Sequence, residues 1–196
     1  MILRDVSFAL GPGVFALVGA NGAGKSTLLR ALAGILPPAS GAIVVDGHDL
    51  WDAPVAARRS LGFLPETPEL FPYLTARELL QTANAIRGVA ASAGLEWLER
   101  WLPPTSIDLQ IGSLSAGQRR KLALAVATSH APRVLLLDEP TNALDAQAVA
   151  DLQGLLARWR ERGCTVLLAT HRPEELVSTH DGRVVVADHT ARLEAA

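Results

Sequence analysis

The chain has 196 residues, 49% of them hydrophobic and 19% charged, a balance typical of a globular protein that excludes a disordered chain. Its 18 basic and 20 acidic residues leave a formal net charge of -2, which excludes the strongly basic surface of many nucleic-acid-binding proteins. The single cysteine, Cys164, excludes a disulfide within the chain.

The elements predicted from periodicity alternate between strands and helices at the two ends of the chain. Val6, Phe8 and Leu10 alternate along the sequence, which is typical of a half-buried strand. Asp46-Gly47 indicates a turn, and residues 68–113 are mostly helical. Predicted strands are 6–10, 14–18, 42–45, 134–137, 165–169 and 183–186, and predicted helices are 25–33, 95–102, 118–129 and 146–162.

Strands spaced by helices form βαβ units, so we predict an α/β fold with a mainly parallel sheet. In the helical middle, Trp97 and Trp101 stand four residues apart on one helix face, which indicates a small local core. We expect no membrane-spanning helix, because no stretch supplies the ~20 apolar residues that one needs. We also expect no secretory signal, because no long apolar segment follows the first residues.

A glycine-rich loop joins the predicted strand 14–18 to the helix that follows. Its sequence, Gly19-x-x-x-x-Gly24-Lys25-Ser26, is the phosphate-binding loop pattern. Glycines let backbone N–H groups turn toward an anion, and the helix N-terminus adds a positive dipole end. Lys25 brings a positive charge to the β- and γ-phosphates, and Ser26 offers a hydroxyl to Mg²⁺. The alternative is a glycine-rich turn that binds nothing, which the flanking strand and helix disfavour. Predicted phosphate-binding residues are Gly19, Asn21, Gly22, Ala23, Gly24, Lys25, Ser26 and Thr27.

Two adjacent acids, Asp138 and Glu139, follow the apolar strand 134–137. Neighbouring side chains on a strand point to opposite faces, so two carboxylates at a strand end can have different roles. Asp138 can hold Mg²⁺, and Glu139 can polarise an attacking water as a general base. The alternative is a pair of solvated turn acids before Pro140.

With these motifs the chain resembles the nucleotide-binding ATPase subunit of ABC transporters over nearly its whole length. The family's motifs occur in order: Walker A at 19–27, the signature Leu114-Ser-Ala-Gly-Gln118, and Walker B at 135–140. The D-loop Asn142-Ala-Leu-Asp145 and the switch histidine His171 follow. The signature is far more specific than Walker A, and ordinary kinases and GTPases lack it.

The resemblance implies one P-loop NTPase domain over residues 1–196. A RecA-like sheet core would span about 1–65 and 129–196, with a small antiparallel β part, and a helical subdomain would span about 66–128. The resemblance also implies a head-to-tail dimer that holds two ATP molecules between its subunits. Ser115, Gly117 and Gln118 of one subunit would bind the γ-phosphate held by the other, and Asp145 would connect the two sites. Lys25, Glu139 and His171 would be catalytic, and Ser26, Glu66 and Asp138 would hold Mg²⁺.

Three positions depart from the family pattern. Glu66 stands where glutamine is usual, and its oxygen can still serve Mg²⁺; glutamate also occurs there among exporter-type members, which makes the chain exporter-like. Ala116 replaces a commoner glycine in the signature, with little expected loss. The family's adenine-stacking aromatic lies further ahead of Walker A than this chain extends, and Phe8 and Phe15 look like core residues. We therefore expect weak discrimination between ATP and GTP.

Two further segments carry open alternatives. Arg119-Arg120-Lys121 could suggest nucleic-acid binding, but we interpret it as a solvated face of the signature helix, and we expect no nucleic-acid partner. Phe71, Tyr73 and Leu74 lie where the family docks the coupling helices of its membrane subunits, with local core packing as an equal alternative.

The resemblance implies transmembrane permease subunits as partners, together with a second copy of the chain or a homologous ATPase subunit. It places the chain in the cytoplasm, held at the inner face of the membrane through those partners. Two rivals stay open: a soluble ABC-type ATPase for ribosome work or cofactor assembly, and a module that binds ATP without hydrolysing it.

Overall fold

The computed structural model of the chain describes residues 2–170 and 180–195. Its strands are β1 Gly13–Val18, β2 Val44–Val45, β3 His48–Asp49, β4 Leu61–Leu64, β5 Val134–Asp138, β6 Thr165–Ala169, β7 Gly182–Ala187 and β8 Thr190–Ala195. Its helices are α1 Lys25–Leu32, α2 Pro54–Arg59, α3 Ala76–Arg87, α4 Leu95–Trp101, α5 Pro104–Ile107, α6 Ala116–Thr128 and α7 Ala146–Glu161, with a 3-10 turn at Ile111–Ser113.

The central sheet has six strands in the order β4-β5-β6-β1-β7-β8. All neighbours pair in parallel except β7 and β8, which form an antiparallel hairpin. A separate antiparallel pair, β2 and β3, turns at Asp46 and Gly47, whose φ values of 50° and 79° suit a tight hairpin turn. The prediction of an α/β fold with a mainly parallel sheet and a small antiparallel part is confirmed.

Side chains of the central strands alternate between two apolar layers. On β5, Leu135 and Leu137 pack into one layer with the helices α3, α4, α6 and α7, while Leu136 packs into the other with α1 and α2. Each of these leucines is buried, as expected for a parallel sheet covered on both faces. The parallel arrangement brings the carboxyl ends of β1, β5 and β6 to one edge of the sheet, where a ligand site can form.

The segment between β4 and β5 is helical. Helices α3 and α4 both pack on α6. The side chain and backbone of Thr75 exchange hydrogen bonds with Glu78, which caps α3 at its first turn. The Trp97 and Trp101 rings lie 5.4 Å apart on α4, so the predicted local core is present. Within the described residues, the chain has no helix long and apolar enough to cross a bilayer.

Two predicted strands differ from the structure. Val6, Phe8 and Leu10 pack half-buried against the core, as their alternation indicates, but residues 2–10 form no strand. The strand predicted over 42–45 is reduced to Val44–Val45, the two residues that pair with His48 and Asp49 across the turn.

Candidate functional site

The loop after β1 has a backbone that its glycines allow. Gly22 and Gly24 have φ values of 76° and 109°, which residues with a Cβ rarely adopt. A Cβ on Gly19 would lie 2.5 Å from the Val186 carbonyl oxygen, so only glycine fits there. The loop can therefore turn tightly from β1 into α1.

The N-terminus of α1 is suited to bind an anion. Gly24 is its cap residue and provides no side-chain hydrogen bond, and the first turn contains no acid. The first backbone N–H groups of the helix thus keep donor capacity for a phosphate, and the helix dipole favours negative charge there. The Lys25 ammonium donates to the carbonyl oxygens of Gly19 at 2.8 Å and Ala20 at 3.2 Å, which holds its charge over the loop.

The other predicted loop residues take different environments. Asn21 and Gly22 are exposed, whereas Ala23 packs partly against the core and Thr27 is half-buried in the first turn of α1. Phe15 is buried in the core and Phe8 packs against it, so both aromatics have packing roles, as expected.

Asp138, the last residue of β5, meets Ser26 on α1. The residue is 3% exposed, and α1, which carries Ser26, packs against β5. Burial raises the pKa of Asp138 above its ordinary value, and the Glu66 carboxylate acts in the same direction, while the Ser26 hydroxyl opposes them. Two predicted metal-binding groups are thus neighbours at the carboxyl edge of the sheet.

Glu139 follows at once and is only 7% exposed. Its N–H donates to the Ala169 carbonyl at 2.8 Å, and its φ is 47°. A left-handed backbone costs a non-glycine residue about 1–2 kcal/mol, so the surroundings must hold Glu139 in place. The turn continues with the Asn142 N–H donating to the Glu139 carbonyl.

Arg120 is the residue of this site that sequence reasoning missed. The interpretation of Arg120 as part of a solvated face is wrong, because the residue is 3% exposed. It donates to four backbone carbonyls, those of Pro65, Glu66, Asp138 and Glu139. Its neighbours are engaged too: Arg119 donates to the Leu114 carbonyl, and Lys121 pairs with Asp145.

A sequence signal for the burial of Arg120 exists. Arg120 stands three and four residues before Ala123 and Leu124, both of which are buried on α6. That spacing places all three side chains on one helix face. The prediction of a solvated face followed the positive charge of Arg120 and not this periodicity.

Glu66 lies in the loop after β4, with its side chain exposed. Its carbonyl oxygen accepts from Arg120 at 2.7 Å, and its carboxylate is near enough to influence Asp138. The structure thus brings Lys25, Ser26, Glu66, Asp138 and Glu139 to one edge of the sheet.

The signature residues begin α6 and line a separate open cleft of about 620 Å³. Ser115 caps the helix: its hydroxyl accepts from the Gln118 N–H, and the Gln118 side chain accepts from the Ser115 N–H. Gln118 also donates to Ser106 at 3.1 Å. A Cβ on Gly117 would lie 2.6 Å from the Ala143 carbonyl oxygen, so the signature approaches the D-loop closely.

Asp145, the cap residue of α7, also lines this cleft. It caps α7 by accepting from the Ala148 N–H at 2.8 Å, and it accepts from Lys121 at 2.5 Å. The Lys121 hydrogen bond holds the pKa of Asp145 below its ordinary value. Among the described residues, no hydrogen bond of Ser115, Gln118 or Asp145 reaches the phosphate-binding loop. His171 lies outside the described residues.

Comparisons with known proteins agree with this arrangement. The sequence model of the ABC transporter family matches residues 3–142. An uncharacterised ABC transporter ATP-binding protein of Bacillus subtilis, YybJ, is 31% identical over 98% of this chain and 88% of its own length. The rat ATP-binding cassette sub-family A member 7 is 39% identical over 82% of this chain, which corresponds to only 8% of that protein.

Solved structures show the same similarity. The dimeric structure of MJ0796, a bacterial ABC transporter cassette, has a TM-score of 0.88 and 25% identity, covering 99% of this chain and 90% of that one. A post-hydrolysis dimer of the same cassette, bound to ADP and Pi, has a TM-score of 0.83, also at 25% identity, and covers the same shares of both chains. The chain therefore belongs to the ABC transporter family, as an ATP-binding domain that hydrolyses ATP.

Proposed function

We propose that this chain uses ATP hydrolysis to drive transport through separate membrane subunits. The observation that carries the proposal is the position of the phosphate-binding loop next to Walker B, where Ser26 is near enough to Asp138 to lower its pKa and Glu139 is buried beside it. The names of the similar protein YybJ and of the cassette MJ0796 refer to ABC transporters, and this favours transport over a soluble, non-transport role.

The residues present fit a magnesium ion. Mg²⁺ prefers oxygen ligands and is usually held by one or two carboxylates together with substrate phosphates and water. The Ser26 hydroxyl and the Glu66 carboxylate both lie near enough to Asp138 to influence its pKa. These three oxygen-bearing side chains would hold the ion, which would neutralise charge on the phosphates.

Each residue then has a defined part in hydrolysis. Lys25 and the N-terminus of α1 stabilise negative charge on the transferred phosphoryl group. Glu139 orients the attacking water and accepts its proton. His171, in the segment that follows β6, contacts the γ-phosphate and keeps this water aligned.

The separate position of the signature supports a head-to-tail dimer. Ser115, Gly117 and Gln118 line a cleft with Asp145 rather than the phosphate-binding loop of their own chain. A twofold arrangement would place this cleft on the γ-phosphate bound by the second subunit, a copy of this chain or a homologous ATPase. The N-terminus of α6 offers donor groups for that phosphate.

Exposed aromatic side chains support a membrane partner. Phe71 is 56% exposed and Tyr73 is 71% exposed, whereas Leu74 packs against the core. Phe71 and Tyr73 are therefore the proposed anchors for a transmembrane permease subunit, which would hold the chain at the cytoplasmic face of the membrane. Residues at about 66–128 would form a helical subdomain beside the core at about 1–65 and 129–196.

Glu139→Gln tests the catalytic assignment. Loss of the general base should lower kcat for ATP hydrolysis by about 10²–10⁴-fold while ATP binding is retained. Steady-state phosphate release gives the rate, and equilibrium dialysis with ATP gives the affinity. Glu161→Gln, at the exposed end of α7, is the matched control. Unchanged kcat in Glu139→Gln would overturn the role of Glu139.

A further inference from the structure

One guanidinium joins two loops that the catalytic site needs. From the second turn of α6, Arg120 donates through Nη1 to the carbonyls of Pro65 at 2.6 Å and Glu66 at 2.7 Å. Through Nη2 it donates to the carbonyl of Asp138 at 2.5 Å and to that of Glu139. A planar fork of donors can hold several acceptors in fixed directions at once, which a lysine ammonium cannot.

The four contacts of Arg120 lie just beyond the last paired residues of β4 and β5. The parallel pairing of β4 with β5 ends at Leu64 and Leu137. Pro65 and Glu66 follow on one strand, and Asp138 and Glu139 on the other, so Arg120 continues the connection between the two strands beyond their last pair. On the other side, the Glu139 N–H is held by the Ala169 carbonyl at 2.8 Å.

The surroundings of Arg120 compensate its burial. Burying a guanidinium costs desolvation, and an apolar side chain would leave the four carbonyls without this donor. The charge of Arg120 is attracted by the carboxylates of Asp138, Glu66 and Glu139, three acids assigned to metal binding and water activation. Its position relative to these acids indicates a function in the site.

We propose that Arg120 is a positioning residue for ATP hydrolysis, which holds the Asp138–Glu139 backbone and couples it to the loop of Glu66 and to the signature helix. Helix α6 begins with the signature residues, so a shift of its N-terminus on contact with ATP reaches Glu139 through this guanidinium. The left-handed backbone of Glu139 is kept in place by its carbonyl contact with Arg120. The inference rests on the proposed roles of Glu66, Asp138 and Glu139.

The test compares Arg120→Lys and Arg120→Met with the parent chain in steady-state hydrolysis of ATP with Mg²⁺. Both variants should lose kcat by at least about tenfold, because displacements near 1 Å can cost as much as 10²-fold in rate. The KM for ATP should stay within about twofold, because the phosphate-binding loop is untouched. Lysine keeps the charge but not the fork, so it should not rescue kcat.

Arg87→Met is the matched control. Arg87, on α3, is half-buried, and like Arg120 it donates to a backbone carbonyl, that of Val126 on α6, at 2.8 Å. This variant should lower the melting temperature and leave kcat unchanged. Circular dichroism of every variant at the assay temperature shows whether it is folded; if Arg120→Met does not fold, Arg120→Lys decides.

Three results would overturn the proposal: full kcat in a folded Arg120→Met, full rescue by Arg120→Lys, or an equal loss of kcat in Arg87→Met. Failure of the proposed function looks different. In that case ATP hydrolysis by the parent chain would be absent or would survive Glu139→Gln, whatever the Arg120 variants do.

Discussion

At the carboxyl edge of the sheet, three acidic side chains surround one buried basic side chain. Glu66 brings a third carboxylate close to Asp138 and Glu139, where the family usually has an amide. Arg120 places one fixed positive charge among them, with its guanidinium on the Glu66 carbonyl. Because Arg120 contacts the backbone carbonyl of Glu66, the exposed Glu66 side chain stays available for a metal ion bound to the nucleotide phosphates.

Two substitutions of Glu66 distinguish the contribution of its side-chain oxygen from that of its negative charge. Glu66→Gln keeps a side-chain oxygen and should retain most of the ATPase activity. Glu66→Ala removes that oxygen and should lower kcat by about tenfold or more, which is the usual cost of removing a group that supports a metal site. Phosphate-release rates at saturating Mg²⁺ and ATP decide between them. Equal rates in both variants and the parent would make Glu66 only a loop residue.

At the scale of elements, the close packing of β4 on α6 is what lets Arg120 reach both loops. Gly62 in β4 has no room for a side chain, because a Cβ there would overlap the Ala127 carbonyl oxygen on α6. By contrast, Gly154 lies exposed within α7, and a methyl group added there would meet no atom within 4 Å. The fold therefore requires glycine at position 62, whereas it leaves room for a side chain at position 154.

Alanine at these two glycines should shift stability in opposite directions. Gly62→Ala forces β4 away from α6 and should destabilise the fold by about 1–3 kcal/mol, as overpacking does. Gly154→Ala removes glycine's entropic cost inside a helix and should stabilise it by about 0.5–1 kcal/mol. Urea unfolding followed by circular dichroism measures both. A stable Gly62→Ala would mean that α6 can move away from the sheet without cost.

Sequence patterns predicted the elements with strong local signals and missed those set by pairing. The apolar run before Asp138 correctly predicted β5. The glycine after residue 162 correctly predicted the end of α7. The strand β8, Thr190–Ala195, escaped because its residues are mixed and its pairing with β7 decides its conformation. The segment at Val6–Leu10 shows the reverse: it buries alternate side chains without pairing as a strand.

The sequence motifs of the site could be predicted, but the contacts that hold these motifs together could not. The sequence pointed to Ser26 and Asp138, and the structure places them near each other, whereas the catalytic roles of Glu139 and His171 remain predictions. Arg120 could not be assigned from charge alone, because its acceptors are backbone carbonyls, which carry no sequence signal.

For the molecule as a whole, acid stability depends on a histidine between α6 and β5. The His130 imidazole contacts the Leu61 carbonyl at 3.1 Å and is partly buried near Arg87. Burial, aided by the Arg87 charge, lowers the pKa of His130 to about 4, while the Leu61 contact opposes this. The folded state therefore keeps the imidazole neutral in a pH range where the unfolded chain binds a proton.

This difference makes the fold less stable in acid. Between an unfolded pKa of about 6.5 and the folded value of about 4, stability should fall as the pH falls. His130→Gln keeps a polar contact without titrating, so its unfolding free energy should change less between pH 7 and pH 4.5. Urea titrations at both pH values test this, with the exposed His48→Gln as control. Equal acid loss in His130→Gln and the parent would contradict the assignment.

The placement of Trp101 has an optical consequence. Its ring packs against Trp97 at an angle of 43°, and Trp101 lines the signature cleft, while the Arg158 guanidinium lies 4.8 Å from the Trp97 ring centre. If this cleft closes on a second subunit, as proposed, the solvent contact of the indole changes, and its emission changes with it. Intrinsic fluorescence of the unlabelled protein would then follow the proposed pairing of two subunits around ATP in real time, with Trp101→Phe as the reference in which only the other three tryptophans emit.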